Sequence, residues 1–181
     1  MPHLKASRVL AIINQAFSYS CMGMDMFIVL YKSLVRPILE YASPTWSPFL
    51  KKDIDKLEKI QRRATKLVPT VSHLSYEQRL RSLGLPTLQY RRDRQHVLHV
   101  FQTLHLNSSP DLMAMFTVNT DSLRGHDKKL KKVGHTNKNT RLNFFSKRVI
   151  NNWNNLPQEV VNASSINNFK SLLNNYSWHT H

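Results

Sequence analysis

The chain has 181 residues, with 26 Lys plus Arg against 11 Asp plus Glu, a formal charge of +15, and 41% hydrophobic residues. That length suits one ordinary domain or two small ones, and the apolar content supports a modest core, which excludes a wholly disordered chain. The lone Cys21 excludes an internal disulfide and a Cys-based zinc site, and the longest apolar run, Met26 to Tyr31, falls far short of the roughly 20 residues that span a bilayer. Lys5 and Arg8 interrupt the apolar residues near the N-terminus, so no signal peptide is read there and an intracellular protein, nuclear or cytoplasmic, is expected.

The chain holds only four Gly, and its apolar positions recur at spacings of three and four. The pattern predicts a mainly α fold: a helical bundle with a basic flexible loop or short hairpin and two C-terminal helices. The expected organisation is a helical region 1–106, a loop with a basic segment 107–143, and a short helical region 144–181. A first helix, Leu4 to Phe17, turns Leu4, Val9, Ile12, Ile13 and Ala16 toward a core. A second, Met26 to about Tyr41, carries Phe27, Leu30, Tyr31, Leu34, Ile38 and Tyr41 on one stripe, with a kink expected at Pro37. Trp46 follows as a buried plug between Pro44 and Pro48.

A third helix, roughly Pro48 to Val68, sorts its residues into three surfaces. Ile54, Leu57, Ile60, Ala64, Leu67 and Val68 form a core stripe, and Lys51, Asp55, Glu58 and Arg62 form a self-compensating one. Lys52, Lys56, Lys59, Arg63 and Lys66 fall within an arc of about 80°. Those five cations repel one another until something anionic approaches. Ser75 and Gln78 make a capping box for a short helix ending at Leu83, with Gly84 in the left-handed position and Pro86 beyond. A fifth helix, Leu88 to Leu106, opens with Arg91, Arg92 and Arg94 and then turns apolar. Asn107 to Ser122 reads as a loop with an apolar patch from Leu112 to Phe116. Phe145 to Asn154 and Ile166 to Tyr176 read as two short helices split by Pro157, the second capped by Ser164 or Ser165.

The charge is concentrated in two blocks. Lys51 to Arg94 carries +7, Arg124 to Arg148 carries +8, and the remainder is neutral. The second block contributes Lys128, Lys129, Lys131, Lys132, Arg141, Lys147 and Arg148 as further candidate phosphate contacts. Such contacts are sequence-independent and weaken with salt. His126 and His135 in the same block are placed to hydrogen-bond phosphate, and Tyr90 and Phe144 to stack on bases.

Catalytic signals are missing. Asp53 and Asp55 lie about 200° apart on their helix, so no pair of carboxylates converges for a two-metal site. Pro110 and Asp111 lack the carboxylate and Lys that follow in a nuclease motif, and no Gly-rich phosphate loop occurs. His96, His99 and His105, with only Asp93 nearby, read as helix-surface histidines rather than zinc ligands. Cys21 has no activating context, and His179 and His181 are terminal.

Several stretches in order then carry a resemblance. LYKSLVRPILEYASPTWSPFLKKDIDKLEKIQRRATKLV from Leu30, LSYEQRLRSLGLPTLQYRRDRQ from Leu74, RGHDKKL from Arg124 and FFSKRVINNWNNLPQEVVNASSINNFKSLL from Phe144 together cover most of the chain. They resemble the region after the polymerase palm in LINE-type non-LTR retrotransposon reverse transcriptases of the Jockey and chicken-repeat kind. The resemblance implies a thumb-like bundle, with Lys51 to Lys66 and Arg79 to Arg94 in the thumb, that holds RNA, DNA or an RNA/DNA hybrid. It also implies a partner palm whose RNA-directed DNA polymerase chemistry needs Mg. The family's palm motif ends in two adjacent Asp, and no such pair occurs here, so the expectation is a truncated region with no cofactor and no catalysis of its own. Two other readings are a structural fragment whose apolar faces expect the missing palm, and peripheral binding to anionic lipid through the third helix.

Overall fold

The computed structural model describes residues 2–17, 23–106, 110–119, 125–132 and 144–176. Expectations at Cys21, His135, Arg141, His179 and His181 lie outside these residues. The fold is mainly α, and the described residues contain no strand beyond a single antiparallel bridge between Val118 and Leu130. The chain divides into two compact units, Met1–Arg92 and Asp93–His181. The division falls inside the fifth predicted helix rather than at residue 106, because that helix gives Leu88 to one core and Val97, Val100 and Phe101 to the other.

In the first unit, α1 (Pro2–Phe17) buries Ala6, Leu10 and Ile13. Leu4, Ile12 and Ala16, expected inside, are exposed instead, since α1 has apolar residues on every side and the wheel alone does not choose the covered one. The second predicted helix forms as α2 (Met24–Leu30), a π-helical turn Tyr31–Val35 and α3 (Arg36–Glu40). Pro37 has no N–H for the carbonyl one turn back, and the ladder slips by one residue, with Arg36 N–H reaching Tyr31 O. Phe27, Tyr31, Val35 and Leu39 enter the core, whereas Leu34 and Tyr41 of the expected stripe are exposed. After α4 (Ser43–Trp46), Trp46 is only partly buried and donates its indole N–H to Tyr41 O.

The third predicted helix is α5 (Lys51–Thr65), and it inserts Leu57, Ile60 and Ala64 into the core. A 3-10 turn, Pro69–Val71, leads to α6 (Tyr76–Ser82), where both halves of the Ser75/Gln78 capping box form. Gly84 has φ +57°, the left-handed region where a Cβ is unfavourable, and the chain turns there into α7 (Leu88–Leu106).

In the second unit, the stretch expected as a loop contains α8 (Pro110–Ala114), and Phe116 beyond it is buried. The predicted helix from Phe145 breaks at Val149 into α9 (Phe145–Arg148) and α10 (Ile150–Asn154). Then come α11 (Gln158–Val161) and α12 (Ile166–Asn175), the latter capped by Ser165 Oγ accepting from Asn168 N–H at 3.1 Å. Trp153 is fully buried, with its indole N–H donating to Lys128 O at 2.7 Å and its ring beside Phe169.

Candidate nucleic-acid interface

The positive face is built by α5, whose two sides do different work. Lys52, Lys56, Lys59, Arg63 and Lys66 are all exposed. At 1.5 Å per residue they span about 21 Å of helix axis. Among the described residues, Lys52, Lys59, Arg63 and Lys66 have no acid within ion-pair distance. Lys56 does: its ammonium lies 2.8 Å from the Asp53 carboxylate, and this hydrogen bond holds the Asp53 carboxyl below its ordinary range. The expected fully uncompensated stripe is therefore four free cations and one that shares its charge.

The inner side carries a polar network that wheel geometry alone did not reveal. Glu58 is buried rather than part of a surface ion-pair stripe. Its carboxylate accepts from the Tyr76 hydroxyl and from Leu88 N–H at 3.1 Å, the first free donor of α7. Gln61 accepts from the Tyr31 hydroxyl and donates to Tyr76 at 3.1 Å and to Pro86 O at 3.0 Å. Burial pushes both tyrosine hydroxyls up, and for Tyr76 the bond to Glu58 adds to it. Turning Glu58 inward removes an acid from the outer surface. Arg79, also buried, donates to Thr65 at 3.0 Å and to Leu74 O, while Arg62 sits 4.4 Å from the Tyr76 ring centre.

The cluster that opens α7 is engaged with partners inside the fold. Arg91 forks onto the Glu40 carboxylate, with one arm at 2.9 Å, and Glu40 holds its pKa above the usual value. Arg92 is fully buried and donates to Gln89 at 2.9 Å. Arg94 donates to Asn174 at 2.9 Å and to Lys170 O. The guanidinium fork satisfies several acceptors at once, which suits Arg92 to its buried place and ties the partly exposed Arg91 and Arg94 to their own neighbours.

In the second unit, Lys131 and Lys132 are exposed, Lys128 and Lys129 partly buried. Lys128 donates to His105 Nε2 at 2.9 Å. Lys147 and Arg148 are also partly buried, and burial lowers the Arg148 pKa against the pull of Asp93. Residues 125–132 are docked: Asn119 N–H donates to Lys129 O at 2.6 Å and Lys131 N–H to Thr117 O at 2.7 Å. His126 is buried with Nε2 3.0 Å from Trp153 O, so it is not positioned for phosphate. His96 is likewise buried rather than on the helix surface, edge-on to Phe145. Phe144 is exposed, as a stacking residue would be, whereas Tyr90 is partly buried.

Among the described residues, no three His, Cys, Asp or Glu side chains converge as a metal site, and no helix is long and apolar enough to cross a membrane. Comparison with protein-family models, with curated proteins and with solved structures finds no match.

Proposed function

We propose that the protein is a nucleic-acid-binding module, akin to the thumb and following region of a non-LTR reverse transcriptase, that grips the backbone of an RNA template and DNA primer without chemistry of its own. In the parent enzyme this grip would serve RNA-directed DNA polymerisation by an adjoining palm. The observation that carries the reading is the outer face of α5, where Lys52, Lys59, Arg63 and Lys66 are exposed with no acid within ion-pair distance among the described residues, while Asp53 pairs with Lys56 and Glu58 is turned inward. Four cations each meeting one phosphate give a slope of log affinity against log salt of about −3.6 on a duplex and about −2.8 on a single strand. Replacing Lys52, Lys56, Lys59, Arg63 and Lys66 with Gln should flatten the slope on an RNA/DNA hybrid by that amount, and an unchanged slope would refute the assignment.

A second reading rests on a different observation: Met26, Val29, Leu34 and Tyr41 expose apolar surface, as a fragment lacking its palm would. Strong binding of a hydrophobic dye with a non-cooperative melt supports it, and a cooperative melt without dye binding rejects it.

A further inference from the structure

The second unit presents an unpaired peptide edge. Val118 and Leu130 face each other in an antiparallel bridge, but the two hydrogen bonds run between their neighbours, Asn119 to Lys129 and Lys131 to Thr117. In such a pair the N–H and C=O of the central residues point outward, away from each other. On the Leu130 side the edge is closed: Leu130 N–H donates to Asn154 Oδ1 at 2.8 Å, and Asn154 Nδ2 donates to Leu130 O at 2.9 Å. One side-chain amide thus takes the place of a third strand. On the Val118 side, both backbone groups lack a partner among the described residues.

The same stretch exposes apolar side chains. Leu112, Met113, Met115 and Val118 are between 37% and 44% exposed, four of seven consecutive residues, while Phe116 between them is anchored in the core. Methionine adapts to varied apolar partners. The segment paired with this edge carries Lys128, Lys129, Lys131 and Lys132, the last two exposed, against two exposed acids, Asp127 on the same segment and Asp111 in α8. We propose that the Val118 edge is a docking site for an extended, acidic and apolar peptide segment that adds as a strand.

Three alternatives fit less well. The phosphates of a nucleic-acid strand offer only acceptors to the regularly spaced backbone groups of this edge, and no exposed aromatic lies between Leu112 and Val118 on which to stack a base. A lipid surface would strand two backbone polar groups in hydrocarbon. A second copy of this chain would bring its own Lys131 and Lys132 toward these in a molecule of charge +15. A strand carrying Glu or Asp supplies both backbone partners and the opposite charge.

The probe is a fluorescein-labelled octapeptide of alternating Glu and Val, titrated against the full chain by anisotropy. Val118→Pro removes the outward N–H without touching either bond to the neighbouring segment, and should weaken binding by about tenfold. N-methylation of the central peptide bonds tests the same contact with the protein unaltered and should weaken binding similarly. K131Q together with K132Q should weaken binding and reduce its salt dependence. No binding at millimolar peptide, or equal affinity for the N-methylated peptide, overturns the proposal. So does Val118→Pro abolishing instead the binding of an oligonucleotide, of phosphatidylserine vesicles, or of a second copy seen by sedimentation.

Discussion

Glu58→Gln separates two accounts of α5. Were Glu58 part of a solvent-exposed ion-pair stripe, losing its charge would cost about 0.3–0.5 kcal/mol. The structure instead gives its carboxylate the Tyr76 hydroxyl and the Leu88 N–H in a largely buried place. A glutamine keeps one oxygen for Leu88 but turns an N–H toward Tyr76, whose hydroxyl already accepts from Gln61. One charge-assisted bond is lost and the hydroxyl proton is left without an acceptor, which sums to about 2–3 kcal/mol. Glu58→Ala strips both donors and opens a gap, for about 3–5 kcal/mol. Because the chain has two units, the readout should be local: urea-dependent hydrogen exchange at Leu88, Leu57 and Ile60, which follows the first unit. Combining Glu58→Gln with Tyr76→Phe should cost less than the two separately by about 1 kcal/mol, since both remove the same bond. A loss below about 0.5 kcal/mol for Glu58→Gln, with additive doubles, would place the side chain in solvent and refute the network.

The second unit should lose stability in acid. Burial holds the His126 and His105 pKa values down, with Lys129 and Lys128 adding to it for His126 and Lys128 for His105. As pH falls below about 6.5, the unfolded chain takes up protons that the folded unit refuses. Stability then falls by up to about 1.4 kcal/mol per pH unit for each histidine until the lowered folded pKa is passed. Urea titrations between pH 7.5 and 5 should show this slope, and His126→Gln, which keeps a donor for Trp153 O, should reduce it; equal slopes would remove His126 from the account. On the α5 face, Asp53→Asn frees Lys56 and should steepen the salt slope of duplex binding by about 0.9, whereas no change would mean that Lys56 contributes nothing to the interface.

What the sequence revealed was local. The Ser75/Gln78 capping box, the left-handed Gly84, the Ser165 cap and the span of α7 all depend on residues within one or two turns, and all are present. The outward turn of Lys52, Lys59 and Arg63 was legible for the same reason, because Leu57, Ile60 and Ala64 fix which side of α5 is covered. Glu58 was misplaced because what holds it comes from 18 and 30 residues away, and helical spacing carries no information about such partners. A trace of it existed: Glu58 and Gln61 are polar neighbours flanking the apolar stripe, the position from which a side chain can be drawn inside. The α1 register failed for the opposite reason, since Leu4, Leu10, Ile12 and Ile13 offer apolar candidates on several sides. Adjacency of Arg91, Arg92 and Arg94 along the chain does not make one surface in space: successive residues on a helix point about 100° apart, and these meet three different sets of acceptors.

The division between internal and outward cations follows their chemistry. Arg79, Arg91, Arg92 and Arg94 each donate to a carboxylate, amide, hydroxyl or carbonyl within the fold, a use suited to a planar group with several fixed donors. Lysine, a strongly hydrated point charge, supplies four of the five outer positions on α5. The surface available to a polyanion is therefore narrower than a net charge of +15 suggests. It is also separable from the fold: the outer residues of α5 do not belong to the core formed by Leu57, Ile60 and Ala64, nor to the Glu58 and Gln61 network. Neutralising the outer face should thus leave exchange protection at Leu57 and Leu88 intact, so that a lost salt slope reports on phosphate contact and not on unfolding.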